Sequence, residues 1–276
     1  GKYYGLNQQP TYGSVMVYNK KLFDEAGVKY PTSDWDDTTW TFDAMLANAT
    51  KLTKNWGKPD AQYGINWTLW DEMESIAYLW GDDSFVKDHY TNFIAPKTNF
   101  NNKGNIDGHQ LRHDYIYKYK VHPDPSTMQG LNQLGDPFKT SKIAMEMDGG
   151  WLYWTTSDIK DFPFGFAAVP TMKTNKVVNF DDFWIMGRWS TNKDAAWAVM
   201  RVLTDVQPVI DYSELAGSPP AVRDATKPWL QKVSQHTGQS VDDLSKVTLG
   251  AIEPKRSQES PDHLFLQFAK IDSTYT

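Results

Sequence analysis

Read for its apolar spacing, the chain opens on a buried strand and then alternates helices with short strands. "SVMVYN" (Ser14 to Asn19) is β-branched and apolar throughout, the pattern of a strand covered on both faces. "KKLFDEAG" reads as a short helix closed by Gly27, a favoured helix-ending residue. From Trp40 to Leu52, Phe42, Met45, Leu46, Ala49 and Leu52 fall on one helical face, with Thr41 as N-cap. A second helix is predicted from Asp71 to Trp80, stopping at Gly81. A third runs from Asn105 to Lys120 with Ile106, Tyr115, Ile116 and Tyr119 inward. "KIAMEM" alternates, which puts Ile143, Met145 and Met147 on one side of a strand. "FPFGFAAVP" and "VVNFDDFWIMGRW" give two more strands. "NKDAAWAVMRVLTD" is a helix capped by Asn192, with Ala195, Ala196, Val199, Val202, Leu203 and Val206 as its apolar stripe. After "AGSPPAV" the pattern weakens, and the last 50 residues read as polar helix and loop. Strands alternating with helices of this length predict an α/β architecture.

Composition narrows the function. The charge is -6, and the 28 Lys and Arg are scattered, so neither nucleic acid nor an anionic membrane is expected as partner. With no cysteine, disulfides, thiolate zinc sites and a cysteine nucleophile are excluded together. No apolar run approaches the ~18 residues of a membrane span. The unusual quantity is aromatic: 12 Trp, 14 Tyr and 13 Phe, more rings than a core of aliphatic residues requires.

Catalytic motifs are incomplete. "HQLRH" sets His109 and His113 four apart on a helix face, but Gln110 stands where a zinc protease needs glutamate, and the pair reads as a solvated face. "NNKGNIDG" lacks the alternating carboxylates of a calcium loop and reads as a turn into a helix. No metal and no cofactor is expected. Asp148, Asp181, Asp182, Glu72 and Glu74 leave a carboxylate-pair glycosidase open as an alternative, although Asp181 and Asp182, adjacent in a strand, face opposite ways.

Three segments place rings beside groups that grip hydroxyls: "NWTLWDE" (Asn66 to Glu72), "DGGWLYW" (Asp148 to Trp154) and "DDFWIMGRW" (Asp181 to Trp189). A flat ring covers the C–H face of a sugar while Asp, Asn, Gln or Arg bonds its edge. Trp35, Trp40, Trp197 and Trp229 are expected in the core.

"YGLNQQPTYGSVMVYNKKLFDEAGVKYP", "TWTFDAMLANATKLT", "FKTSKIAMEMDGGW", "VPTM" and "AGSPPAV" together resemble, in order and spacing, the extracytoplasmic carbohydrate-binding proteins of ABC importers, the maltose-binding-protein-like solute-binding proteins. "TSDWDDTT" looks like an insertion relative to that pattern. The resemblance implies a two-lobed periplasmic-binding-protein type II fold, α/β, with much of the first lobe absent from this chain. It implies residues 1–11 as a first-lobe and hinge remnant and 12–182 as the second lobe. Residues 183–225 would be a hinge strand with first-lobe helices, and 226–276 a return towards the second lobe. Hinge crossings are expected near Gln9 to Tyr12, Phe183 to Gly187 and Gly217 to Pro220. The ligand set carried over is Trp151 and Gly150 at the glycine corner, Trp67 and Trp70 at a helix start, Asp182 and Trp184 on a crossing strand, and Gln9 and Tyr12 on the first crossing. The implied protein is a monomeric receptor for a mono- or oligosaccharide, without enzymatic activity. It would serve the permease subunits of an ABC importer from the periplasm or from a lipid anchor on the cell surface. A carbohydrate-adhesion module is a further alternative.

Overall fold

A computed structural model describes residues 5–12, 14–68, 72–86 and 97–259. Its strands form two sheets. The smaller has order β1-β6-β7, from β1 (Leu6–Tyr12), β6 (Val177–Trp184) and β7 (Ser257–Glu259). The larger has order β3-β4-β2-β5, from β2 (Val15–Asn19), β3 (Asn66–Trp67), β4 (Met145–Asp148) and β5 (Phe164–Ala167). β2 is antiparallel to both β4 and β5, while β3 lies parallel to β4. β1 is antiparallel to β6 with a bulge between Asn7 and Gln9, and β6 is parallel to β7. Only residues 13 and 14 separate β1 from β2, so the chain passes from one sheet to the other almost without a loop.

The central strands are legible in the residues. Every residue of β2 is buried, as its continuous apolar run requires. β4 alternates, with Met145 and Met147 buried and Glu146 and Asp148 less so. Helices α1 (Lys20–Ala26), α2 (Phe42–Leu52) and α3 (Glu72–Leu79) follow the apolar spacing. Gly27 closes α1 at φ 60°, and the Thr41 hydroxyl accepts from Ala44 N to cap α2.

Helix α4 (Lys103–Tyr117) departs from expectation in its face. Ile106, predicted inward, is 59% exposed, and Gly104, Asn105, Gly108 and Tyr115 are buried instead. The reason is close approach. A β-carbon on Gly108 would sit 2.2 Å from Ile76 Cγ2, and one on Gly104 2.6 Å from Asp82 Cβ. Glycine, not a large side chain, marks the packed face of this helix.

Two helices escaped the apolar pattern. α5 (Pro125–Leu134) buries no residue and is set by its start, where the Asp124 carboxylate accepts from Ser126 N and Thr127 N and Pro125 occupies the first turn. A short α6 (Leu152–Thr155) follows the glycine corner. α7 (Lys193–Leu203) forms where predicted, but without a side-chain hydrogen bond from Asn192. Its apolar stripe is also exposed, with Val202 at 61%, and Trp197, expected in the core, is 47% exposed. Only Met200 of this helix is buried. α8 (Val206–Ala216), the second helix missed, ends at Gly217 with φ 74°.

The closing helices α9 (Arg223–Thr237) and α10 (Val241–Ala251) return to the larger sheet. The Gln239 side chain bonds Phe166 on both its N–H and its carbonyl, and Trp35 Nε1 donates to Val247 O at 2.9 Å. The "TSDWDDTT" segment is thus tied into the core through Trp35. It is tied to the surface through Asp36, which receives hydrogen bonds from Lys255 and the buried Arg256. Trp40 and Trp229 are buried as expected.

Candidate functional site

Two clusters form at the place where the chain changes sheets. The first is the glycine corner at the end of β4. The ring of Trp151 folds back over Gly149, where a β-carbon would lie 2.2 Å from the indole. The indole N–H donates to the Asp148 carboxylate, which also accepts from Gly149 N at 2.8 Å. Burial pushes the Asp148 carboxyl up to about 6, partly offset by these two hydrogen bonds. Gly149 and Gly150 are both buried, and α6 starts from their carbonyls, which accept from Leu152 N and Tyr153 N. The corner therefore holds one partly exposed indole in a fixed orientation.

Tyr153 and Trp154 divide differently. Tyr153 is core, tilted on Phe166 at 4.1 Å between centroids and edge-on to Trp229, with its hydroxyl bonded to Thr248. Trp154 is at the surface, where Gly217 packs against its backbone, so the 217–220 segment is joined to the glycine corner through α6.

The second cluster lies on the β1–β6 pair. Gln9 is in register with Asp182, and its Nε2 donates to Asp182 Oδ2 at 2.8 Å. Gln9 Oε1 is buried without a hydrogen-bond partner among the described residues. Strand alternation puts Asp182 and Trp184 on one face, and all three side chains are half-buried. Tyr12 faces Asn179 in the register, but its side chain lies outside the described residues. Gln9 precedes by six residues Val15, whose β4 partner is Asp148. One short crossing of the chain thus bears Gln9 of the second cluster and pairs, at Val15, with Asp148 of the first.

Trp67 requires a correction. It was expected over a ligand, yet it is 1% exposed, stacked on Trp80 at 6.2 Å and edge-on to Tyr115. Its position inside β3 points the ring into the core, and the polar residue beside it, Asn66, is the one that reaches a carboxylate. Trp70 lies outside the described residues.

Sequence reasoning passed over Glu146, whose Oε1 accepts from Asn66 Nδ2 at 2.9 Å. Burial, with Asp136 and Asp148 nearby, drives its carboxyl up to about 8. The signal was available: Glu146 is the acid in an alternating strand between two buried methionines. His109 and His113 are exposed, as a solvated face requires. Among the described residues no helix is long and apolar enough to cross a membrane.

Comparison with known proteins agrees with this architecture. Residues 1–238 match the family described as bacterial extracellular solute-binding protein. A putative binding protein of Brucella abortus (strain 2308) is 27% identical over 215 residues, covering 74% of this chain and 47% of its own. The ABC substrate-binding protein of Listeria monocytogenes solved in complex with cycloalternan superposes with TM-score 0.73 at 21% identity, over 96% of this chain and 63% of its own. The maltose/maltodextrin-binding domain of Bdellovibrio bacteriovorus bound to maltotriose gives 0.64 at 17%, over 99% and 68%. The chain spans about half the length of the curated relative and about two thirds of these solved chains. The fold is the α/β architecture of two-lobed solute-binding proteins. The chain belongs to the bacterial extracellular solute-binding family, which places it outside the cytoplasm.

Proposed function

We propose that this chain is part of a receptor that binds a sugar or oligosaccharide in an interlobe cleft and delivers it to the permease subunits of an ABC importer. The carrying observation is the glycine corner: an indole laid on Gly149 and tethered to Asp148 presents a flat face at a strand end. Gly150 and Trp151 supply the platform, while Gln9, Asp182 and Trp184 supply hydrogen bonds and a second ring from the crossing strands. Tyr12 and Trp70 complete the proposed set. The names of the structural neighbours support the ligand class, since they are solved with cycloalternan, maltose, mannobiose and maltotriose.

The proposed division follows the two sheets. The larger sheet with α1–α6, α9 and α10 makes the second lobe, the β1–β6 pair and residues 217–220 make the hinge, and α7 and α8 belong to the first lobe. The rest of that lobe, in the longer protein, covers the exposed row on α7. The receptor works as a monomer that closes on its ligand, outside the cytoplasm, without chemical conversion.

The test is isothermal titration of the full-length protein against neutral mono- and oligosaccharides, with the sugar analysed afterwards by chromatography. Binding of intact sugar is expected. No binding across the panel overturns the receptor reading, and cleavage that Asp148→Asn abolishes replaces it with a hydrolase.

A further inference from the structure

A cavity of about 320 Å³ lies between α6, β5, α8 and α9, and none of its walls belongs to the proposed sugar-binding set. That volume is at the small end of the ~300–1,000 Å³ of ordinary ligand sites. An apolar cavity of ~150 Å³ already holds a benzene ring, so this one admits one ring or two fused rings.

The floor is aromatic. Strand alternation sets Phe164 and Phe166 of β5 on one face, and both border the cavity. Their rings meet edge-on at 5.9 Å, Tyr153 of α6 tilts over Phe166, and Trp229 of α9 stands edge-on to Tyr153. The polar tips of the last two are already engaged. The Tyr153 hydroxyl bonds Thr248, and Trp229 Nε1 donates to Gly217 O at 3.2 Å. What these rings offer a ligand is therefore hydrocarbon surface.

One wall group stands apart. Ser213 on α8 is 1% exposed, yet its hydroxyl has no hydrogen-bond partner among the described residues. The other hydroxyls around the cavity are all used within the protein. Thr156 Oγ1 donates to Leu152 O, Ser157 Oγ to Trp154 O and Thr237 Oγ1 to Val233 O. A buried hydroxyl left open is costly, and one that borders a cavity is satisfied by a polar atom placed there. At the rim, Lys232 Nζ lies 3.5 Å from the Glu214 carboxylate and donates to Glu214 O at 2.8 Å. The two charges offset each other, so neither sign of ligand is drawn in.

We infer that this cavity is a second binding site, for a small neutral aromatic molecule bearing a hydroxyl. Its ring lies against Phe164, Phe166, Tyr153 and Trp229, and its hydroxyl bonds Ser213 Oγ. The site is independent of the sugar-receptor reading.

The experiment is a ligand-observed NMR titration of the full-length protein with phenol and, as the analogue without the hydroxyl, toluene. Both are expected to bind. Ser213→Ala lowers phenol affinity by ~3–10-fold, the worth of one hydrogen bond, and leaves toluene unchanged. Val233→Phe, at a half-buried wall position, fills the cavity and abolishes binding of both. If that variant fails to fold, Ser213→Ala alone decides. Trp151→Ala leaves phenol binding intact, since Trp151 is not part of these walls. Absence of binding, equal phenol affinity in Ser213→Ala, or loss of phenol binding in Trp151→Ala each overturns the site. None of these three results bears on whether the protein takes up sugar.

Discussion

Gly149 has no room for a β-carbon, because the indole of Trp151 occupies that space. Gly149→Ala is therefore expected to displace the ring and to weaken sugar binding about as much as Trp151→Ala, by ~10-fold or more, with little change in the melting temperature of the free protein. Titration calorimetry beside a thermal melt checks both halves; a large loss of stability in Trp151→Ala would mark the ring as core instead. Glu146 makes a separate prediction about pH. Its carboxyl titrates near 8 in the folded protein against 4.5 as its ordinary value, so between those limits the folded state binds the extra proton. Its contribution to stability is full below about 4.5 and is lost as pH rises through 8. Glu146→Gln keeps the acceptor for Asn66 and removes the titration. Its melting temperature should exceed the wild type by several degrees at pH 8 and match it near pH 4.5. Equal pH profiles for the two proteins would remove Glu146 as the source.

At the scale of elements, α4 shows how packing selects a face that hydropathy does not. Gly104 and Gly108 let the side chains of Ile76 on α3 and of Trp80 and Asp82 just after it pack onto the α4 backbone, which leaves Ile106 on the far side. Gly108→Ala presses a methyl into Ile76 and is expected to destabilise by ~1–3 kcal/mol in urea unfolding, despite the higher helix propensity of alanine. α7 is the converse case. Its stripe is amphipathic as read from the sequence, yet Val199, Val202 and Leu203 are exposed. Periodicity shows that a helix has an apolar side, but not what covers that side. The two missed helices fail for different reasons. α5 carries too few apolar residues for a periodic signal, although Asp124-Pro125 is a good start. α8 is ended by Gly217, which was read only as part of a turn.

At the scale of the whole molecule, the direct passage from β1 to β2 and the junction of Gly217 with α6 tie the proposed hinge to the corner that holds Trp151. In the proposed receptor, ligand drawn between the two clusters would pull on both crossings. The full-length protein is expected to become more compact on binding, seen as a smaller radius of gyration in solution scattering; an unchanged profile favours an adhesion module. The exposed Trp189, Trp197, Val199 and Val202 are expected to make the 276-residue chain by itself a binder of hydrophobic dyes. Val199→Glu with Val202→Glu should reduce that signal without altering the melting temperature.

The sequence by itself determined the strands β2 and β4–β6, the capped helices α1 and α2, the glycine corner, and the ordered landmarks of the family. Each depends on neighbours within a few residues: alternation, capping or a turn. It also singled out Trp151, through the resemblance to the family's tryptophan after a glycine corner. Tertiary structure decided which rings are core and which are free. Trp67 and Trp197 exchanged their expected places because burial depends on the partner surface, which no local pattern encodes. It also decided the Gln9–Asp182 bond, which joins residues far apart in the chain whose proximity only sheet register creates.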